Sequence, residues 1–127
     1  MKCLAILAAL SACATQAPVC LLPTQRPMLM MDLYFGRGAV TDAQWAEFTR
    51  AQITPRFPDG FSIIEARGQW LNPRTNTIGS ENSKILRIAA QQDPGTAAKI
   101  LALTNAYRTQ FHQIAVGITT NQVCAAF

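Results

Sequence analysis

The chain has 127 residues, half of them hydrophobic and 14% charged, with a formal net charge of +4 at neutral pH. That length holds one domain, and the apolar fraction is too high for a disordered chain. No run reaches the ~20 apolar residues that a membrane-crossing helix requires.

Met1-Lys2 supplies one positive charge and Leu4 to Leu10 an apolar run, the order of an export signal. Leu10-Ser11-Ala12-Cys13 follows at once. This segment resembles the lipobox of bacterial lipoproteins, which implies that residues 1–12 are a cleaved signal peptide. Cys13 is then the first mature residue and carries a diacylglyceryl group. Three acyl chains, at ~0.8 kcal/mol per buried methylene, would make the anchor effectively permanent. Ala14 stands where the resemblance would require aspartate for retention at the inner membrane, so the periplasmic face of the outer membrane is the expected destination. In the alternative, Ala12-Cys13-Ala14 serves as a general small-x-small cleavage site and the product is a soluble periplasmic or secreted protein.

Loss of Lys2 with the leader lowers the net charge by one. The arginines stand singly, without a basic run or aromatic-interleaved stripe, so nucleic acid is not an expected partner. Of the four cysteines, Cys3 leaves with the leader and Cys13 is acylated. Cys20 and Cys124 remain as a pair in an oxidising compartment, where a disulfide is the default and two unrelated free thiols the alternative.

Residues 13–27 contain Pro18, Pro23 and Pro27 and almost no periodicity, and read as a tether ahead of a single domain over residues 28–127. From Met28 to Arg37, Leu29, Met31, Leu33 and Phe35 share one face at a period of two, which predicts the first strand. Thr41 and Gln44 form a capping box, with Asp42 where the helix dipole favours an acid. Trp45, Phe48, Gln52 and Ile53 continue a broad apolar stripe, and Pro55 is expected to force Thr54 out of helical geometry.

Arg56 to Gly60 is a turn, braced by Arg56 with Asp59, and residues 61–71 form a second strand in which Gly68 suggests a bulge or a close approach. Residues 72–82 are polar and read as a long hairpin loop before a third strand over 83–90. Asp93-Pro94 opens a helix carrying Ile100, Leu103, Tyr107 and Phe111 on one stripe. A last strand lies between Gln113 and Phe127.

Strand, helix, strand, strand, helix, strand is the βαββαβ order of the ferredoxin-like α+β fold: an antiparallel four-stranded sheet with two helices on one face. In that topology the last strand lies beside the first, so Cys20 and Cys124 meet at one end of the molecule. Arg37, Trp70, the hairpin and His112 fall at the other end, whereas Arg56 and Asp59 belong to the disulfide end.

Asp32-Leu-Tyr-Phe-Gly-Arg37, Thr54-Pro-Arg-Phe-Pro-Asp-Gly60, Gly68-Gln-Trp70, Glu81 with Ser83-Lys84, and Val123-Cys124 together resemble the DUF3574 family of small exported bacterial proteins. The resemblance implies an exported α+β domain and no reaction, cofactor or catalytic residue. In this chain Gly79-Ser80 precedes Glu81, where the family carries a basic neighbour, which weakens an ion-pair role for the segment.

Catalytic and metal motifs are absent: there is no Cys-x-x-Cys, His-Glu-x-x-His, phosphate-cradling glycine loop or Gly-x-Ser-x-Gly. The single histidine, His112, is explained by its place at a helix end, and Met28, Met30 and Met31 by strand packing rather than metal ligation. The candidate ligand-binding cluster is Arg37, Trp70, Glu81 and Lys84, with Tyr34 nearby. A guanidinium fork, an ammonium and an indole suit an anionic or sugar-like ligand, and an envelope protein is the alternative partner. The competing reading makes Arg37 with Glu81 a structural ion pair and Trp70 a cap on the core. Two functions are carried forward: a non-enzymatic envelope binding module, and a small enzyme acting on an anionic molecule through Arg37, Glu81 and Lys84.

Overall fold

A computed structural model describes residues 16–127; residues 1–12, expected to be a signal peptide, and Cys13 lie outside the described residues. The elements in chain order are β1 (Arg26–Gly36), α1 (Asp42–Phe48), β2 (Ser62–Asn72), β3 (Thr77–Ala90), α2 (Pro94–Phe111) and β4 (Gly117–Ala125), with a π-helical turn over Thr49–Ile53 after α1. The sheet is antiparallel with order β2-β3-β1-β4, the ferredoxin-like arrangement expected from the element order.

The period-two face of β1 is the floor of the core. Met31, Leu33 and Phe35 are buried and join Leu86 and Ile88 of β3, while Leu29 packs at the margin. The helices close over this face with Trp45, Phe48, Ile53, Ile100, Leu103 and Tyr107. At its centre Phe35 meets Tyr107 edge-on, with ring centroids 4.7 Å apart, and Trp45 at 5.4 Å. Such pairs contribute roughly 0.5–1.5 kcal/mol each beyond the area they bury. The Tyr107 hydroxyl donates to the Gly36 carbonyl at 2.8 Å, so the one polar atom of that ring is satisfied at the end of β1.

Both helix starts follow their caps. Thr41 accepts from the Gln44 backbone at 3.2 Å and the Gln44 side chain accepts from the Thr41 N–H at 2.9 Å. Asp93 accepts from the Thr96 N–H at 2.7 Å, with Pro94 at the first helical position. Buried Thr96, Ile100, Leu103, Thr104 and Tyr107 then recur on one side of α2. His112 ends that helix in the left-handed region, at φ 53°.

Four local expectations are corrected. Thr54 stays in right-handed helical geometry, at φ −55° and ψ −44°, because the chain widens into a π turn in which the Thr54 N–H reaches the Thr49 carbonyl at 2.9 Å. The hairpin loop is short: β3 starts at Thr77, and only residues 73–76 connect it to β2, with Asn76 at φ 54°. Gly68 sits in regular register opposite Glu81, without a bulge. Arg56 turns away from Asp59 and donates to the backbone and side-chain oxygens of Gln52, both at 2.8 Å.

Cys20 and Cys124 are joined by a disulfide with Cα atoms 5.4 Å apart. Pro27 pairs with Cys124 across β1 and β4, so the bridge clamps residues just before the first strand to the end of the last. The segment ahead of β1 is thus tied down from Cys20 onward, and β1 begins two residues earlier than Met28.

Candidate functional site

Because side chains alternate across a sheet, residues 81 and 84 of β3 fall on opposite faces. Lys84 lies on the helix-covered face beside Phe35, with its side chain 8% exposed, and its ammonium pairs with Glu65, its neighbour on β2. Glu81 lies on the open face. Its carboxylate curls over Gly36, where any side chain would collide with it, and accepts from the Gly38 N–H at 2.7 Å. The structure separates these two members of the sequence-derived cluster.

Arg37 is committed to its own loop. Its guanidinium pairs with Asp42 at 2.7 Å and donates to the Val40 carbonyl at 2.7 and 3.2 Å, fixing the approach to α1. The Arg37–Glu81 ion pair is therefore replaced by Arg37–Asp42 on one side and Glu81–Gly38 on the other. Trp70 does not cap the core: it stands on the open face, half exposed, with its indole laid across Gly79 of β3. Tyr34 shares that face, covers Gly117 and shares a hydrogen bond with the Thr119 hydroxyl at 3.4 Å.

The open face thus gathers Tyr34, Trp70 and Glu81 but excludes Lys84. Between them Ile64 faces Ile85, and Asp32 accepts two hydrogen bonds from Arg87 at 2.7 and 2.8 Å. That fork holds the Asp32 carboxyl below its usual range. On the other face, burial pushes the Tyr107 phenol up to about 12. No cluster of three or more His, Cys, Asp or Glu able to hold a metal occurs among the described residues.

A concavity lies at the disulfide end. A cleft of about 590 Å³ opens between the start of β1, the 56–60 turn, the first turns of α2 and the end of the chain. Arg26, Arg56 and Lys99 line it together with Asp59, Asp93 and Phe127. Arg26 and Lys99 make no ion pair among the described residues. Sequence reasoning placed Arg56 at this end and missed Arg26 and Lys99, which stand 73 residues apart. Only the pairing of β1 with its neighbours and the seating of α2 bring them together. A second, apolar groove of about 570 Å³ runs between α2 and the β4 edge, lined by Leu29, Pro94, Ile100, Leu101 and Ile118. Neither depression is lined by Tyr34, Arg37, Trp70, Glu81 or Lys84.

The architecture is that of a ferredoxin-like α+β domain with an open sheet face and a charged cleft at its disulfide end. Within that class the chain belongs to DUF3574, a family described as a protein of unknown function, whose profile matches residues 30–127. No curated protein matches the chain. Among solved structures it is similar to a phage SAM lyase in complex with S-methyl-5'-thioadenosine, at 16% identity and a TM-score of 0.58 over 77% of this chain and 90% of that one. The apo form of a phage SAM lyase matches at 16% identity and a TM-score of 0.55, over 80% and 92%. A PII-like nitrogen regulatory protein, CPII from Thiomonas intermedia K12, bound to ADP, AMP and bicarbonate, matches at 10% identity and a TM-score of 0.49, over 81% and 97%. At these identities the likeness to the lyase speaks for the fold alone.

Proposed function

We propose that the protein is an exported lipoprotein, anchored through Cys13 at the periplasmic face of the outer membrane, and that it works there as a non-enzymatic module for an anionic ligand. The observation that carries this reading is the cleft at the disulfide end, where Arg26 and Lys99 present cations free of carboxylate partners among the described residues. The Cys20–Cys124 bridge supports export, since such bonds persist in oxidising compartments. The lipobox-like Leu10-Ser11-Ala12-Cys13 supports the anchor.

The enzymatic alternative requires Arg37, Glu81 and Lys84 to converge on one substrate. Lys84 and Glu81 stand on opposite faces, and Arg37 is held by Asp42 and Val40, which favours the binding reading.

Two measurements test the proposal together. Labelling with radioactive palmitate should mark the parent protein and not Cys13→Ala, and density fractionation should place the parent with outer membranes. Isothermal titration with inorganic phosphate as the probe should give heat that Arg26→Gln with Lys99→Gln abolishes. An unlabelled protein in the soluble fraction overturns the anchor; identical titrations overturn the cleft.

A further inference from the structure

Three features converge on one end of the molecule. The first is apolar exposure: Val19 is 99% exposed, Leu21 91% and Phe127 92%, with Leu22 also exposed. Val19 and Leu21 flank Cys20, and Phe127 lies three residues beyond Cys124, so the disulfide holds both groups at the same end. Large side chains left this open cost free energy in water unless something covers them.

The second feature is charge. The cleft beside this apolar cluster carries Arg26, Arg56 and Lys99 against Asp59 and Asp93, the latter occupied in capping α2, and Phe127 lines it too. Apolar side chains rimmed by cations match the boundary of a phospholipid leaflet, where acyl chains begin beneath a layer of phosphates.

The third feature is reach. Cys20 follows Cys13 by seven positions, and at ~3.6 Å per residue that stretch spans at most roughly 25 Å. If Cys13 is sunk in a leaflet, no other end of the domain is held so near it. The hairpin at residues 73–76 lies at the opposite end of an 11-residue β1, away from the anchor.

We infer that the disulfide end is a membrane-docking foot: Val19, Leu21, Leu22 and Phe127 enter the acyl boundary while Arg26 and Lys99 take phospholipid headgroup phosphates. This rests on the anchored reading above and names the anion of the same cleft. The domain then stands with its hairpin and the Trp70 end projecting into the periplasm.

The test uses the processed chain from residue 13 with Cys13→Ser, which carries no acyl group and keeps every described element. It is sedimented with vesicles of phosphatidylcholine, with and without phosphatidylglycerol. The parent should partition onto the anionic vesicles, and Arg26→Gln with Lys99→Gln should weaken partitioning about thirty-fold, at ~1 kcal/mol per cation. Leu21→Ser with Phe127→Ser should weaken it on both vesicle types, and Arg74→Gln at the hairpin should leave it unchanged. Equal partitioning of parent and foot variants, or loss in Arg74→Gln, overturns the orientation. Displacement of the parent from vesicles by millimolar inorganic phosphate, with no effect of the apolar variants, overturns it in favour of a soluble anion. Mass analysis of the Cys13 peptide from native envelopes reads acylation separately, so failure of the anchor and failure of the foot are distinguishable.

Discussion

Glu81 occupies the space that a side chain at Gly36 would need, and its carboxylate accepts from the Gly38 N–H at 2.7 Å. The two glycines and the glutamate form one unit that seals the end of β1 against β3, reinforced by the Arg37 N–H donating to the Asn82 carbonyl at 2.9 Å. Gly36→Ala should displace the carboxylate and cost about 1–2 kcal/mol, roughly one charged hydrogen bond and the adjustment around it. In a Glu81→Ala background the same change should cost almost nothing, because nothing remains to displace. Urea denaturation of the four proteins measures the coupling, and additive losses would show that the carboxylate has no hold on the turn.

Lys84 and Glu65 make a lopsided pair, with the ammonium side chain 8% exposed and the carboxylate 73%. Removing the carboxylate leaves a buried charge without its partner, so Glu65→Ala should destabilise by about 1–3 kcal/mol. Lys84→Met keeps the stem against Phe35 and removes the charge, and should stay within about 1 kcal/mol of the parent. Thermal unfolding ranks the two; a Met variant weaker than the Ala variant would show the ammonium to be a net contributor.

How far the sequence carried depended on whether each signal was local. The Thr41–Gln44 box and Asp93-Pro94 located both helix starts because a cap is decided within four residues. Alternation in β1 identified its buried face because that face lies under the helices. Thr77 to Asn82 reads as loop in the sequence because this part of β3 is largely exposed, so polar residues occupy strand positions that bury nothing, and Gly79 is there to receive Trp70. The partners of Arg37 and Lys84 were equally out of reach. Asp42 and Glu65 are chosen by register and loop geometry, which leave no mark in spacing.

The Tyr107 phenol is fully buried, donates to the Gly36 carbonyl and ionises only near 12, against 10.0 for an exposed phenol. Between those values the unfolded chain has lost the proton and the folded chain retains it, so stability must fall as pH rises through that interval. Tyr107→Phe removes this alkaline slope, at a cost of about 1–3 kcal/mol at neutral pH for the stranded carbonyl. Denaturation midpoints followed into the alkaline range, alongside phenolate absorbance, check both parts. A slope that persists in the Phe variant would assign it elsewhere.

Asp32 supplies the acid counterpart. Its folded-state value lies below 3.8, chiefly through the hydrogen bonds from Arg87, so its contribution is complete above the unfolded value and disappears as pH falls through the folded one. Arg87 is half exposed, which makes the effect small and sensitive to salt. Comparing parent with Asp32→Asn, the stability gap should be present at neutral pH and narrow progressively as the solution is acidified below the ordinary carboxyl range. A gap independent of pH would point to packing rather than charge.

The disulfide joins residues 104 apart, and a closed loop of about 100 residues is worth up to ~4.7 kcal/mol by its restriction of the unfolded chain. Cys20→Ser, Cys124→Ser and the double variant should lose similar amounts, about 2–5 kcal/mol, because either single change already opens the loop. The fold itself should survive. β4 remains registered against β1 from Arg26↔Ala125 to Tyr34↔Gly117, and the cluster of Phe35, Trp45, Phe48 and Tyr107 lies on the far side of the sheet centre from the bridge. Near-ultraviolet dichroism of the aromatic core should therefore be retained while the urea midpoint drops. What the double variant should lose locally is the restraint on Val19 and Leu21 relative to Phe127. Hydrogen exchange should quicken over residues 20–25 and 123–127 while β3 stays protected; uniform quickening would mean that the bridge supports the whole sheet.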